Sequence, residues 1–219
     1  MKRFIFILTF FQLTSMLLCA DVLAQAKTRA PNKTIQLYSL PADRWITEGR
    51  FVTSPNAADV NRDRRAAEQG DASAQFNMAL RYDRGLGVIQ NYAESVKWLY
   101  EAADQGLAEA QYNLGSMYYN GLGVSQDFAE AVQWFRKAAG QGLAEAQKNL
   151  GAMYGRGEGV PQSHAEAYVW LSIAAISGNE DAINARDFAA SNLSPEDFDL
   201  AQKRSTELNR EIQQQVAGK

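Results

Sequence analysis

Small and apolar residues recur along the middle of the chain with a period of 36 residues, and the positions between them vary. The period is clearest at four evenly spaced glycines, Gly70, Gly106, Gly142 and Gly178. Other positions keep one residue type from unit to unit, among them an alanine, a glutamine, an asparagine, a tyrosine and a tryptophan. Such a period is typical of solenoids, whose units bury their apolar faces only against one another.

Each unit contains two predicted helices, which we call helix A and helix B. In the second unit, Ala110, Leu114, Met117 and Tyr118 recur at helical spacing and predict helix A over about 107–119. A Gly-x-Gly-Val segment follows helix A. We interpret it as a tight turn, because its first glycine permits a positive φ. Helix B then starts at an N-cap residue with a glutamate three positions later, which is the pattern of a capping box. The three predicted boxes are Asn91 with Glu94, Asp127 with Glu130, and Ser163 with Glu166.

The repeated pattern is specific enough to suggest a family. Ala-x-Ala-Gln-x-x-Leu-Gly-x-x-Tyr, then Gly-x-Gly-Val, Ala-x-x-Trp and Ala-Ala, resembles the Sel1-like repeat, a relative of the tetratricopeptide repeat. Residues 108–139 match it almost throughout, whereas the first unit has Met78 and Ala79 in place of Leu-Gly. The resemblance covers 71–178, about half of the chain. It implies an all-α, right-handed superhelical solenoid of helix-turn-helix repeats, used mainly for protein–protein contacts.

The first residues have the pattern of an export signal. Lys2 and Arg3 precede an apolar stretch at 4–20, and small residues that suit cleavage follow, with a cut after Ala26 favoured over Ala24. The alternative to a cleaved signal is an uncleaved membrane anchor, but the apolar stretch is short for one. Leu18 before Cys19 argues against lipid attachment. We therefore expect an exported protein, most simply periplasmic, with secretion as the other outcome and no stable membrane insertion after cleavage.

The remaining boundaries follow from helix-start signals. Ser54-Pro55 and Ser194-Pro195 each place a capping serine before a proline at the first helical position. The first predicts an orphan helix B, and the second a closing helix. The predicted order is a signal peptide 1–26, an irregular segment 27–54, an N-terminal capping helix 55–70, repeats 71–106, 107–142 and 143–178, and a degenerate half-repeat with a C-terminal capping helix 179–219.

The variable positions of helix A predict the binding surface. They are spaced 3-4-3 and share one stripe, which by resemblance to tetratricopeptide arrays is a concave groove that holds a peptide or a partner helix. The repeated asparagines adjoin this stripe and are either contact residues or structural ones. The predicted partner-binding residues are Phe76, Asn77, Leu80, Asp83, Glu109, Tyr112, Asn113, Ser116, Tyr119, Glu145, Lys148 and Asn149.

A second apolar stripe is specific to the third helix B. Val169, Ile173 and Ile176 replace the polar residues of the first unit at i, i+4 and i+7. One interpretation is that the closing helix lies across this stripe. The other is an exposed interface for a partner or a second copy.

Composition excludes several classes of function. Cys19 leaves with the signal, so the mature chain has no thiol, and its formal charge falls from −3 to −4 as Lys2, Arg3 and Asp21 are lost. A mildly acidic chain without a basic run is a poor nucleic-acid binder. His164 is the only histidine, and its alignment with Tyr92 and Phe128 indicates packing or surface exposure rather than catalysis. The sequence predicts no catalytic residues, cofactor or metal site.

The predicted function is therefore a non-enzymatic protein–protein interaction module of the bacterial cell envelope, a scaffold or regulator. One alternative is a secreted factor that binds a host protein. The other is an envelope hydrolase or β-lactam-binding protein, which some cysteine-rich relatives suggest. The absence of cysteine from the mature chain argues against this last alternative.

Overall fold

The computed structural model describes residues 57–218, so the predicted signal peptide and the segment 27–54 lie outside the described residues. Within 57–218 all regular secondary structure is helical. The helices are α1 (Ala57–Glu68), α2 (Ala72–Arg84), α3 (Tyr92–Asp104), α4 (Ala108–Asn120), α5 (Phe128–Gly140), α6 (Ala144–Arg156), α7 (His164–Ala175), α8 (Glu180–Ser191) and α9 (Pro195–Ala217).

The helices stack as an α-solenoid, which confirms the predicted fold class. From α1 to α8, each helix packs against the one before and the one after it. Helices α2, α4, α6 and α8 are the A helices, and α1, α3, α5 and α7 are the B helices. The core lies between successive helices and is made of the repeated residues, with Leu114, Leu150, Ala138 and Ala146 wholly buried.

The predicted caps start the B helices. Asn91 Oδ1 accepts hydrogen bonds from the backbone N–H groups of Ala93 and Glu94, at 3.0 and 3.2 Å. Asp127 does the same for α5, and Ser163 Oγ accepts from Glu166 N at 3.2 Å. These bonds satisfy backbone donors that have no partner within the helix, so each B helix begins at a fixed residue.

The turns between helices A and B set the spacing of the repeats. Gly123 and Gly159 have φ of 73° and 71°. A Cβ built on Gly123 would lie 2.4 Å from the carbonyl carbon and oxygen of Tyr92, and one built on Gly159 would lie 2.3 Å from those of Phe128. Each turn therefore rests on the first residue of the preceding B helix, at a distance that only glycine allows.

Glutamine side chains form a buried ladder at the opposite edge, where each B helix turns into the next A helix. Three of them donate from Nε2 to carbonyl oxygens in the last turn of the preceding helix: Gln75 to Ala67 at 3.2 Å, Gln111 to Ala103 at 3.1 Å, and Gln147 to Ala139 at 3.1 Å. A second set links them from repeat to repeat: Gln105 donates to Gln75 Oε1 at 2.7 Å, and Gln141 to Gln111 Oε1 at 2.9 Å. Each of these carbonyls also accepts a hydrogen bond from the backbone N–H of the glycine that ends the turn, so the ladder adds a second partner and ties each helix end to the next A helix.

Helix α9 does not extend the stack but packs on α7. Val169 and Ile173, in the second predicted stripe, are 1% and 5% exposed and belong to one core cluster with Ala201 and Ile212 of α9. The far end of α9 reaches the turn between repeats 2 and 3, because a Cβ on Gly142 would lie 3.6 Å from Ile212 Cγ2. The closing helix thus covers two of the three residues of that stripe.

A charged residue replaces the helix-packing glycine at the C-terminal end of the stack. In α4 and α6 a glycine faces the repeat's own B helix so closely that a Cβ would lie 2.9 Å from the Phe135 ring at Gly115 and 2.7 Å from Leu171 at Gly151. The equivalent residue in α8 is Asp187, which is exposed and pairs with Arg186 at 2.7 Å. A further B helix could not pack there in the same way, because a larger and charged side chain occupies the contact.

Candidate partner-binding surface

The predicted groove residues all lie in α2, α4 and α6, the A helices of the three repeats. We call the exposed side of the layer formed by α2, α4, α6 and α8 the helix-A face. Sequence position places the groove residues in rows across this layer, because equivalent residues are 36 positions apart in adjacent repeats. The resemblance to tetratricopeptide arrays implies that this is the concave side of the array.

Four of the predicted contact residues are buried in the described structure. Phe76 is 5% exposed and packs in a core cluster with Val96 and Leu99. Asn113, Lys148 and Asn149 are 7%, 5% and 2% exposed, so they are not accessible to a partner. The stripe was predicted from variation between repeats, but a position that varies can still be buried, as Phe76 is by its packing against α3. Asn77, Leu80 and Ser116 are half-buried at the surface.

Tyr112 lies at the junction of α4 and α6. Its ring packs on Phe135, with centroids 5.6 Å apart, and its side chain is half-buried. Burial, together with the negative charge of Glu145, raises the pKa of Tyr112 to about 12. The hydroxyl therefore stays protonated at neutral pH and can act as a hydrogen-bond donor or acceptor.

A polar cluster joins the same two helices at the opposite edge of the face. Tyr119 donates a hydrogen bond to Glu158 Oε2 at 3.1 Å, and Arg156 Nη1 donates to Tyr119 Oη at 3.1 Å. Arg156 also pairs with Glu158 at 2.9 Å. The ring of Tyr119 packs on Phe128, with centroids 5.0 Å apart, and burial raises its pKa. Tyr119 is thus held in place by a charge on either side and by an aromatic ring.

The acidic residues of the face differ in how they are compensated. Glu145 pairs with Lys148 at 2.5 Å and accepts from Asn179 Nδ2 at 3.5 Å. Asp83 is half-buried, and burial raises its pKa, which the positive charge of Arg84 partly offsets. Glu109, at the position equivalent to Glu145, is exposed and forms no ion pair with another described residue.

The sequence analysis missed an exposed aromatic residue on this face. Phe188 in α8 is 65% exposed, and its ring meets that of His164 edge-on, with centroids 6.3 Å apart. It follows Leu80, Ser116 and Ala152 at the repeat interval, so continuing the 36-residue register into the degenerate unit would have found it. Arg156 and Glu158 were missed as well, because they lie at the edge of the predicted stripe.

The other predicted surface is mostly covered. Val169 and Ile173 lie under α9, so they cannot meet an external partner while that helix is in place. Only Ile176, which is 70% exposed, remains accessible.

The described residues contain neither a cluster of metal ligands nor a membrane-spanning helix. Between residues 57 and 218, no group of three or more His, Cys, Asp or Glu side chains is placed to hold a metal ion. No described helix is both long enough and apolar enough to span a bilayer.

Comparison with known proteins identifies the family. The Sel1 repeat model matches residues 72–107, 108–143 and 144–179, units that begin one residue later than the predicted repeats. A solved Sel1 repeat protein from Oxalobacter formigenes is 40% identical over 59% of this chain and 97% of its own, with a TM-score of 0.55. The chain belongs to the Sel1 repeat family. Sel1 repeat proteins are typically non-enzymatic scaffolds for protein interactions.

A second solved relative is longer than this chain. It is a protective antigen of uropathogenic Escherichia coli strains that displays an SLR fold, with 32% identity and a TM-score of 0.68. The match covers 74% of this chain but only 35% of the antigen, so the Sel1 repeat chain described here spans about a third of that protein. No curated protein matches the chain.

Proposed function

We propose that this chain is a non-enzymatic interaction module of the bacterial cell envelope that binds a partner protein or peptide on its helix-A face. The observation that carries the proposal is the presence of three aromatic side chains on the A helices: Tyr112 and Tyr119 of α4, which are half-buried, and Phe188 of α8, which is 65% exposed. Rigid aromatic side chains give large contact areas at low entropic cost, and they dominate the binding energy of many interfaces.

The preorganisation of this face supports the same function. Tyr119 is held by Arg156, Glu158 and Phe128, and Tyr112 by its packing on Phe135. Side chains that are already ordered lose little freedom when a partner binds, so more of the contact energy remains as affinity. Membership of a family of interaction scaffolds agrees with this reading.

Site-specific photo-crosslinking tests the proposal. A benzophenone amino acid replaces Phe188 on the helix-A face or, as the matched control, Leu200 on α9, which is 59% exposed. We expect one protein to be crosslinked from position 188 in living cells and not from position 200. Equal crosslinking from both positions, or none from position 188, would contradict binding on the helix-A face.

The same cells test the compartment. The leader at 1–26 supports export, so we expect the mature chain and its crosslinked partner in the periplasmic fraction. Recovery of both from the culture supernatant would favour the second candidate, a secreted factor that binds a host protein. The antigen relative gives that candidate its specific support. Recovery of an uncleaved chain in the cytoplasm would exclude both.

A further inference from the structure

We propose that the segment bound on the helix-A face is cationic: an extended stretch of the partner protein with lysine or arginine side chains at regular intervals. This rests on the proposed function, because it names the chemistry of the partner at the same surface. The face neutralises its basic side chains internally and leaves two acidic side chains exposed.

The basic side chains of repeat 3 are already compensated. Lys148 pairs with Glu145 at 2.5 Å, and only 7% of its side chain is exposed. Arg156 pairs with Glu158 at 2.9 Å and also donates to Tyr119. These two cations would have to give up internal partners in order to bind an acidic ligand, so they attract an anionic segment weakly.

Two of the three acidic side chains at the other edge are left over, since Lys148 neutralises only Glu145. Glu109, Glu145 and Asp181 occupy equivalent positions in α4, α6 and α8, one repeat apart. Glu109 and Asp181 are exposed, and neither forms an ion pair within residues 57–218. Each acid is near the start of its helix, where the helix dipole favours it. The helix dipole explains why an acid is tolerated at these positions. It does not explain why Lys148 and Arg156 have internal partners while Glu109 and Asp181 have none among the described residues.

The aromatic side chains make the complementarity specific to lysine and arginine. Tyr112 follows Glu109 by three residues on α4, and Phe188 follows Asp181 by seven residues on α8, so each ring shares a side of its helix with an unpaired acid. Long basic side chains can lay their aliphatic stems on aromatic rings while their charged ends reach a carboxylate. An acidic or purely apolar segment would use the rings but leave the two carboxylates desolvated and unpaired.

The spacing of the repeats limits the bound segment. Packed helices lie about 10 Å apart, and an extended chain advances about 3.3 Å per residue. Because Glu145 is already paired with Lys148, the two unpaired acids lie two repeats apart, and a cation at about every sixth residue would meet both of them.

A binding measurement with a designed probe tests this inference. The probe is a fluorescein-labelled twelve-residue peptide with lysine at every third position, and its counterpart carries glutamate at those positions. The protein variants are Glu109→Gln with Asp181→Asn, and a control on α9, Glu207→Gln with Glu211→Gln, which removes the same charge from exposed positions. We expect the lysine peptide alone to bind the parent. The helix-A variant should lose about fivefold in affinity, because it lacks both carboxylates and each exposed charge pair is individually weak. The α9 control should change by less than about twofold.

Three results would overturn the inference: no binding of the lysine peptide to the parent, equal binding of the glutamate peptide, or equal losses in the helix-A variant and the α9 control. The crosslink from position 188, repeated in the Glu109→Gln, Asp181→Asn protein, separates this inference from the proposed function. An undiminished crosslink in that variant means that the face binds its partner without the two acids. No crosslink in the parent means that the face itself was assigned wrongly.

Discussion

One pair of equivalent positions between a B helix and the next A helix is occupied by apolar residues in the middle of the solenoid and by an ion pair at its N-terminal end. At the junction of α5 with α6, Phe135 and Met153 are 0% and 1% exposed and pack in the core. At the junction of α1 with α2, the equivalent residues are Asp63 and Arg81, which form an ion pair at 2.6 Å. The Arg81 side chain is only 6% exposed, so this pair is nearly as deep as the apolar one.

The difference shows what each junction contributes. Apolar contacts stabilise in proportion to the area that they bury. A buried ion pair must first offset the desolvation of two charges, so its net contribution is small, but removal of one partner is costly. The central junction therefore supplies stability. The N-terminal junction fixes how the first helix docks, because Asp63 and Arg81 satisfy one another in only one register.

The largest expected effect is the loss of the central apolar contact. Phe135→Ala should destabilise the protein by about 3–5 kcal/mol, because a wholly buried ring is replaced by a cavity. Urea denaturation followed by circular dichroism measures this. Phe188→Ala removes the same side chain from an exposed site and should cost less than about 1 kcal/mol. Equal losses would show that the core is not where the structure places it.

Breaking the N-terminal pair should have a somewhat smaller effect. Arg81→Met removes the buried partner of the Asp63 carboxylate, which keeps only the exposed Arg62 at 3.4 Å. It should cost about 3 kcal/mol, the low end for buried pairs, because Arg62 remains and 13% of the Asp63 side chain is exposed. The double variant Asp63→Leu with Arg81→Met restores the apolar chemistry of the other repeats. Urea denaturation should find it at least as stable as the parent. A double variant no more stable than Arg81→Met would refute the comparison.

Removal of one rung of the glutamine ladder should have a moderate effect. Gln111→Met keeps the size of the side chain but leaves the Ala103 carbonyl and the Gln141 amide without this partner. The expected loss is about 1–3 kcal/mol. Amide hydrogen exchange should locate it at the end of α3. Uniformly unchanged exchange would mean that water replaces the glutamine at no cost.

The smallest effect is a pH dependence at the helix-A face. The folded pKa of Tyr112, about 12, lies above the ordinary value of 10.0. Its contribution to stability is therefore complete below pH 10 and is lost as the pH rises from 10 towards 12. In Tyr112→Phe, the free energy of unfolding should fall less steeply over that interval. Identical slopes for parent and variant, measured by urea denaturation at each pH, would contradict the assignment.

The period, the two-helix unit and the caps followed from the sequence because they depend on local chemistry. Asn91 can cap α3 whatever else the chain does, and a glycine turn needs only its own backbone. The fold class was confirmed for this reason. The residues that break the repeat in the degenerate units were harder to interpret, since their role depends on which residues they face in the neighbouring helix. Asp63, which pairs with Arg81, is an example.

The candidate site was less predictable for a physical reason. Variation between repeats identifies residues that are not needed for stacking, but it does not show how deeply they lie. Lys148 and Asn149 vary or adjoin variable positions and are nevertheless buried, whereas Phe188 belongs to a unit that no longer resembles the repeat. The covering of the α7 stripe by the closing helix was expected from the sequence, and the structure shows it for Val169 and Ile173 but not for Ile176.

The path of α9 has a mechanical consequence. Ile212 and Val216 lie against the turn at Gly142, two helices away from α8, to which α9 is joined. A force applied to the C-terminus would therefore act in shear along α7 and that turn together. A force applied ahead of α1 would peel a single short helix from its neighbour. In an optical trap, we expect the molecule to yield first at its N-terminal end.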